Sequence, residues 1–183
     1  KKILKNFVQR IDSLNEVVGR LTSWLVLTLV LTTFSVATLR YGLNLGWIWL
    51  QELYIWMHGT IIMLGAAYTL LHDEHVRIDV FYRSVSNRSK AWINLVCSTI
   101  FLIPSIIAFG WFALPYVIKS WERVEASREA GGMHGLFLWK TTMLFFCCLL
   151  LLQALTIIIR SVFTLQGKTF SGEGVKFQSD NPS

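Results

Sequence analysis

Charge is what this sequence has least of. Its 11 acidic and 17 basic side chains make up only 15% of 183 residues, where soluble domains carry about 25%. Hydrophobic residues reach 54% and the mean hydropathy is +0.51, so too little polar surface remains to cover a water-soluble core. Proline is rare, with three copies, of which only Pro104 and Pro115 fall inside apolar stretches. The three cysteines, Cys97, Cys147 and Cys148, also lie inside such stretches. They read as small apolar packing residues, which excludes a disulfide framework. No nucleophile–base pair, Gly-rich phosphate loop, Walker sequence or internal repeat is present, and no soluble domain is visible.

The apolar residues are gathered into runs at 21–39, 53–71, 91–118 and 141–159, none containing Asp, Glu, Lys or Arg. Each approaches or exceeds the about 20 residues that cross a bilayer as a helix. They predict an all-α integral membrane protein with four spans at about 21–39, 51–72, 91–118 and 140–161. The first run reads as a span rather than a signal peptide, because Arg40 and Tyr41 follow it in place of a small-residue cleavage site. Residues 1–20 repeat Ile3, Leu4, Phe7, Val8, Ile11, Leu14 and Val18 at helical spacing, with Lys5, Gln9, Asp12, Ser13 and Glu16 opposite. This predicts an amphipathic helix lying at the cytoplasmic interface, or packed on a partner, whose stripe continues in phase into the first span. The polar, Gly- and Ser-rich residues 166–183 form a tail with a disordered composition.

The net charge of +6 is distributed unevenly. With four spans, the amino terminus, the second loop and the carboxyl terminus share one side and carry 12 basic residues. Arg40, Lys119, Arg123, Arg128 and Lys140 are the five on the other. The more basic side is expected to be cytoplasmic, which places both termini inside and explains the charge without a nucleic-acid partner. Trp24, Trp47, Trp49, Trp92, Trp121 and Trp139 stand near span ends, at the expected headgroup level. The third span carries Pro104, where a kink is expected, and Pro115, where the chain is expected to leave the helix. The charged stretch after it predicts a short surface helix over 119–129, stopped by Gly131 and Gly132.

Several residues invite chemistry. In HDEHVRID, His72, Asp73, Glu74, His75 and Asp79 offer ligand types for a transition metal. No further histidine or cysteine completes the set, and Arg77 in its midst repels a cation. The segment reads instead as a cytoplasmic helix end facing water, headgroups and a partner protein. His58, inside span two, has no matching histidine in another span for haem ligation, so a neutral imidazole buried and bonded to a neighbouring helix is expected. Glu52 opens span two, where the helix dipole favours a carboxylate. It shares a stripe with Trp56, Gly59, Met63 and Ala66 that permits close helix approach at a protein contact. Gln153 suits one interhelical hydrogen bond. No cofactor or metal is expected. A haem- or quinone-bearing redox anchor would need paired intramembrane histidines. A self-sufficient small exporter would need a carboxylate within a span.

Taken in order, several motifs resemble one family. They are Gln51-Glu52, Gly65-Ala66-Ala67-Tyr68 and Glu74-His75-Val76-Arg77-Ile78-Asp79-Val80, then Ser120, Glu125-x-Ser127, Gly131-Gly132, Trp139-Lys140 and Gln153. Over roughly residues 15–165 the chain is similar to the small membrane subunit of tripartite ATP-independent periplasmic (TRAP) transporters. Met133 and His134 follow the paired glycines, where many members place proline. The resemblance implies a periplasmic protein that captures an organic anion, a carboxylate or sulfonate. It also implies a large sodium-coupled permease in a bacterial inner membrane, and a small subunit without a transport site. That subunit would act as a scaffold beside the permease and help dock the periplasmic protein. On this reading Glu52, Trp56, Gly59, His75, Arg77, Asp79, Glu125 and Ser127 are candidate partner-interface or structural residues. Arg77, Arg83 and Arg88 are candidate contacts to phospholipid headgroups.

Overall fold

A computed structural model describes residues 2–72 and 86–167, and among them every regular element is helical. The first, α1, runs without interruption over Lys2–Leu43 and joins the stretch expected at the interface to the first span. It ends where Asn44 adopts a left-handed backbone (φ 52°), which a short polar side chain tolerates. The turn lets the Leu45 amide donate to the Leu39 carbonyl at 2.9 Å. Next comes α2, Ile48–Leu71, closed by the His72 amide donating to the Tyr68 carbonyl at 3.1 Å.

The third span is built in three pieces. Helix α3 covers Asn87–Cys97, and its Ser86 cap accepts from the Ser89 amide at 3.3 Å. A π-helical segment follows over Ser98–Leu102, then α4 over Ile103–Glu122. The wide turn sits just ahead of Pro104, where the proline lacks an amide and its ring crowds the carbonyl four residues back. The expected exit at Pro115 does not occur, because α4 continues through it to Glu122. One missing amide is tolerated where the flanking turns keep their own bonds. Nor is there a surface helix over 119–129. Beyond Glu122 the chain is irregular, and Val124 takes a positive φ of 44°. The last helix, α5, spans Leu136–Leu165.

All four membrane-length stretches are present: Ile3–Leu43, Ile48–Leu71, Arg88–Glu122 and Leu136–Leu165. They do not form a closed bundle. Helix α5 is central, with α2 on one flank and the third span on the other, while α1 lies mainly along α2. Within the most apolar part of each stretch, 28% of α5 is buried but only 6% of α1. The core cluster joins Ala67 and Leu70 of α2, Ile106 of α4, and Cys147, Leu149 and Leu150 of α5. Cys97 and Cys148 face outward.

The first half of α1 is buried along one edge of its apolar stripe and the polar residues beside that edge, rather than along the whole stripe. Val8, Ile11, Asp12, Asn15 and Thr22 are buried, whereas Ile3, Leu4, Phe7 and Leu14 are exposed. Polar partners on α5 explain the difference.

Candidate functional site

Two polar clusters mark the two ends of the helical layer. At the end where α2 begins, Glu52 gathers the loop between α4 and α5. One of its carboxylate oxygens accepts from the Ser127 hydroxyl, and the other accepts from the Met133 amide at 2.6 Å. Ser127 also accepts from the Glu129 amide at 3.1 Å, and its own amide donates to the Met133 carbonyl at 3.0 Å. Gly132 has to be glycine here. A Cβ would stand 2.4 Å from the Ser127 Oγ and 2.8 Å from the Glu52 Oε2.

A second carboxylate fixes the other side of the same loop. Glu125 accepts from the Ser120 hydroxyl at 2.6 Å and from the Lys140 ammonium at 2.5 Å. Lys140 is only 5% exposed, and its ammonium also lies 4.0 Å from the centre of the Tyr116 ring. The Lys140 bond, followed by the Ser120 bond, holds the Glu125 carboxyl below the usual glutamate range. Below this pair the Trp139 indole donates to the Trp56 carbonyl at 2.9 Å. The two indole rings stack with centroids 5.9 Å apart. Gly59 makes room for Trp139, since a Cβ there would meet its ring at 2.6 Å. Trp121 donates to the Thr141 hydroxyl at 3.0 Å.

The structure therefore brings Glu52, Trp56, Gly59, Glu125 and Ser127 into one assembly, with partners supplied by this chain. Both carboxylates are occupied by hydrogen bonds. Arg88 is exposed near the start of α3. His75, Arg77, Asp79 and Arg83 lie outside the described residues. Among the described residues no group of three or more His, Cys, Asp or Glu side chains could hold a metal.

The opposite cluster joins the first half of α1 to the end of α5. The Arg160 guanidinium pairs with the Asp12 carboxylate, both nearly excluded from solvent. One turn along, the Asn15 amide donates to the Gln153 carbonyl oxygen at 2.7 Å. Gln153 thus makes an interhelical bond of the kind expected of it. Glu16 receives Arg20 at 3.1 Å and lies 3.4 Å from the His72 ring at the end of α2. The Asp12–Arg160 and Asn15–Gln153 bonds were not legible locally. Asp12 falls on the polar side of an amphipathic pattern, and Arg160 follows the last uncharged residue of its run. A signal did exist in the spacing, because Asp12 and Asn15 share one helix face and Gln153 and Arg160 share another.

His58 departs from expectation. It is exposed on α2 and makes no hydrogen bond with the described residues. The stripe through Trp56 and Gly59 faces α5, and His58 lies to its side.

A family model described as "Tripartite ATP-independent periplasmic transporters, DctQ component" matches residues 15–164. The chain belongs to the DctQ family. No curated protein and no solved structure matches it. DctQ proteins are the small subunit of TRAP transporters, a transporter component rather than an enzyme family. They work with a large permease and a periplasmic binding protein. The matched segment contains the Glu52–Glu125 cluster and the Asn15–Gln153 bond, and it begins after Asp12 and residues 2–14 of α1.

Proposed function

We propose that this subunit is the stationary scaffold of a sodium-coupled TRAP transporter that takes up organic anions, carboxylates or sulfonates, across a bacterial inner membrane. It packs against the large permease and helps to seat the periplasmic binding protein. One observation carries the scaffold role: the buried charged and amide side chains, Asp12, Asn15, Lys140, Gln153 and Arg160, bond to partners within this chain. A transport site would instead need several uncommitted polar groups converging near the midplane, whereas His58 is a single exposed ring.

The basic side of the charge distribution supports an orientation with both termini cytoplasmic. The Glu52 and Glu125 cluster is then periplasmic, and the loop it braces presents Arg123, Val124, Arg128 and His134 to the binding protein. The segment at 73–88 supplies inner contacts, with His75, Arg77 and Asp79 towards the permease and Arg77, Arg83 and Arg88 towards phospholipid headgroups.

Reconstitution tests this directly. The tagged subunit is purified with its large permease, placed in liposomes, and given a binding protein loaded with a radiolabelled organic acid. Uptake is expected to require all three proteins and an inward sodium gradient. Failure of the permease to co-purify would remove the scaffold assignment, as would undiminished uptake without the small subunit. Charge reversal at Arg77 or Asp79 is expected to weaken assembly, and unchanged assembly and uptake would remove those residues from the interface.

A further inference from the structure

A groove of about 410 Å³ runs between α1 and α2 on the open side of the layer. Gly19, Ser23 and Val26 line it from α1, and Ile62, Gly65 and Thr69 from α2. The Ser23 and Thr69 hydroxyls donate to the Gly19 and Gly65 carbonyls, each at 3.0 Å. These hydroxyls are thus satisfied within their own helices, and apart from Tyr68 the rest of the lining is small or apolar. Small residues of this kind let another backbone come close in a membrane, where packing rather than water exclusion drives helix association.

The second observation is independent of the groove's shape. His58 stands one turn beyond Ile62 on the stripe that continues through Gly65 and Thr69. It lies about 15 Å from the start of α2, inside a stretch long and apolar enough to span the membrane. Its ring is exposed and receives no hydrogen bond from the described residues. Acyl chains can neither donate to an imidazole nor accept from it, so lipid leaves this group unsatisfied. Whatever covers the stripe must be apolar and close-fitting along Ile62 and Gly65, and must carry a hydrogen-bonding side chain at the depth of His58. A transmembrane helix has that chemistry.

We infer that the α1–α2 groove seats a transmembrane helix of the large permease, and that this helix supplies a hydrogen-bonding side chain to His58. The inference rests on the scaffold reading and adds the face that the scaffold presents. It also explains why so little of the apolar part of α1 is buried although it packs along α2: its open side is completed by a neighbour.

The test uses the full complex in native membranes. A photoreactive amino acid is placed at Ser23 or Ile62, and at Phe101 and Phe112 on the exposed side of the third span for comparison. After irradiation, adducts are identified by mass spectrometry. Adducts to the permease are expected from positions 23 and 62, about tenfold above those from 101 and 112. A separate series replaces His58. His58→Leu is expected to lower the amount of co-purified permease about fivefold while leaving the thermal midpoint of the isolated subunit unchanged, and His58→Gln is expected to restore most of it. If the permease co-purifies but positions 23 and 62 label only lipid or a second copy of this chain, the docking face is wrong and the scaffold role survives. If the permease does not co-purify at all, both fall together.

Discussion

Glu52 and Glu125 are carboxylates near a membrane surface that spend their charge on holding a loop. Removing Glu52 strands the Met133 amide and the Ser127 hydroxyl, and an unsatisfied polar group costs about 1–3 kcal/mol. Glu52→Ala is therefore expected to lower the urea midpoint of the purified subunit, with Glu52→Gln recovering part of the loss. At Gly132 the expectation is steric. Gly132→Ala drives a methyl into Ser127 and should free the loop for proteolysis without unfolding the helices. Glu125 makes the loop sensitive to acid. Its pKa is lowered in the folded chain, so its contribution is present above the ordinary glutamate range and is lost as pH falls through the folded value. The protection of amides in residues 123–133, measured against their intrinsic exchange rate at each pH, should therefore hold at neutral pH and fall in acid below the ordinary glutamate range. Glu125→Gln should already show low protection at neutral pH and little further loss in acid.

Among the elements, the joint between α1 and α5 is the one most exposed to single substitutions. Arg160 and Asp12 neutralise each other where solvent is nearly absent. Replacing one alone leaves a buried charge, at a cost of about 3–5 kcal/mol. Arg160→Met is expected to unfold the α1–α5 contact, and Asp12→Leu combined with Arg160→Met to cost much less. A double-mutant cycle on the thermal midpoint measures the difference.

This joint also shows what was legible in the sequence. The four spans followed from run length, because a bilayer demands a fixed number of apolar residues, and Gln153 stood out as a lone polar side chain in its run. The face of α1 that is buried did not follow from its own periodicity. Local amphipathicity records where apolar residues lie, whereas Asp12 and Asn15 are buried because side chains 138 and 148 residues away receive them. The course of α4 beyond Pro115 was misjudged for a related reason: proline removes one amide, and the flanking helix is long enough to carry the gap. His58 was expected inside because polar groups in spans usually face their own bundle. Here the helices form an open layer, so more of each one faces outward.

At the scale of the whole molecule, that openness sets what the subunit needs from its surroundings. With α5 alone holding α2 and the third span, large apolar side chains such as Trp24, Phe34, Trp111 and Phe112 stay exposed. Lipid can cover most of them, but a bound neighbour that covers α1 stabilises the folded state by mass action. The thermal midpoint of the subunit is expected to rise when the permease is added at increasing molar ratio and to be flat for an unrelated membrane protein. A flat response to both would show that the open layer is complete by itself.

The length of α1 carries one more consequence. Its 42 residues form a rod of about 63 Å, roughly twice the about 30 Å thickness of a hydrocarbon core. The rod is pinned near one end by Asp12 and Arg160, while its far half rests on α2 alone. An uninterrupted helix answers a thinner bilayer by leaning and a thicker one by standing up. With α1 held by the Asp12–Arg160 pair and along α2, any tilt that membrane thickness imposes on the rod is expected to bear on that joint and on the α1–α2 seam.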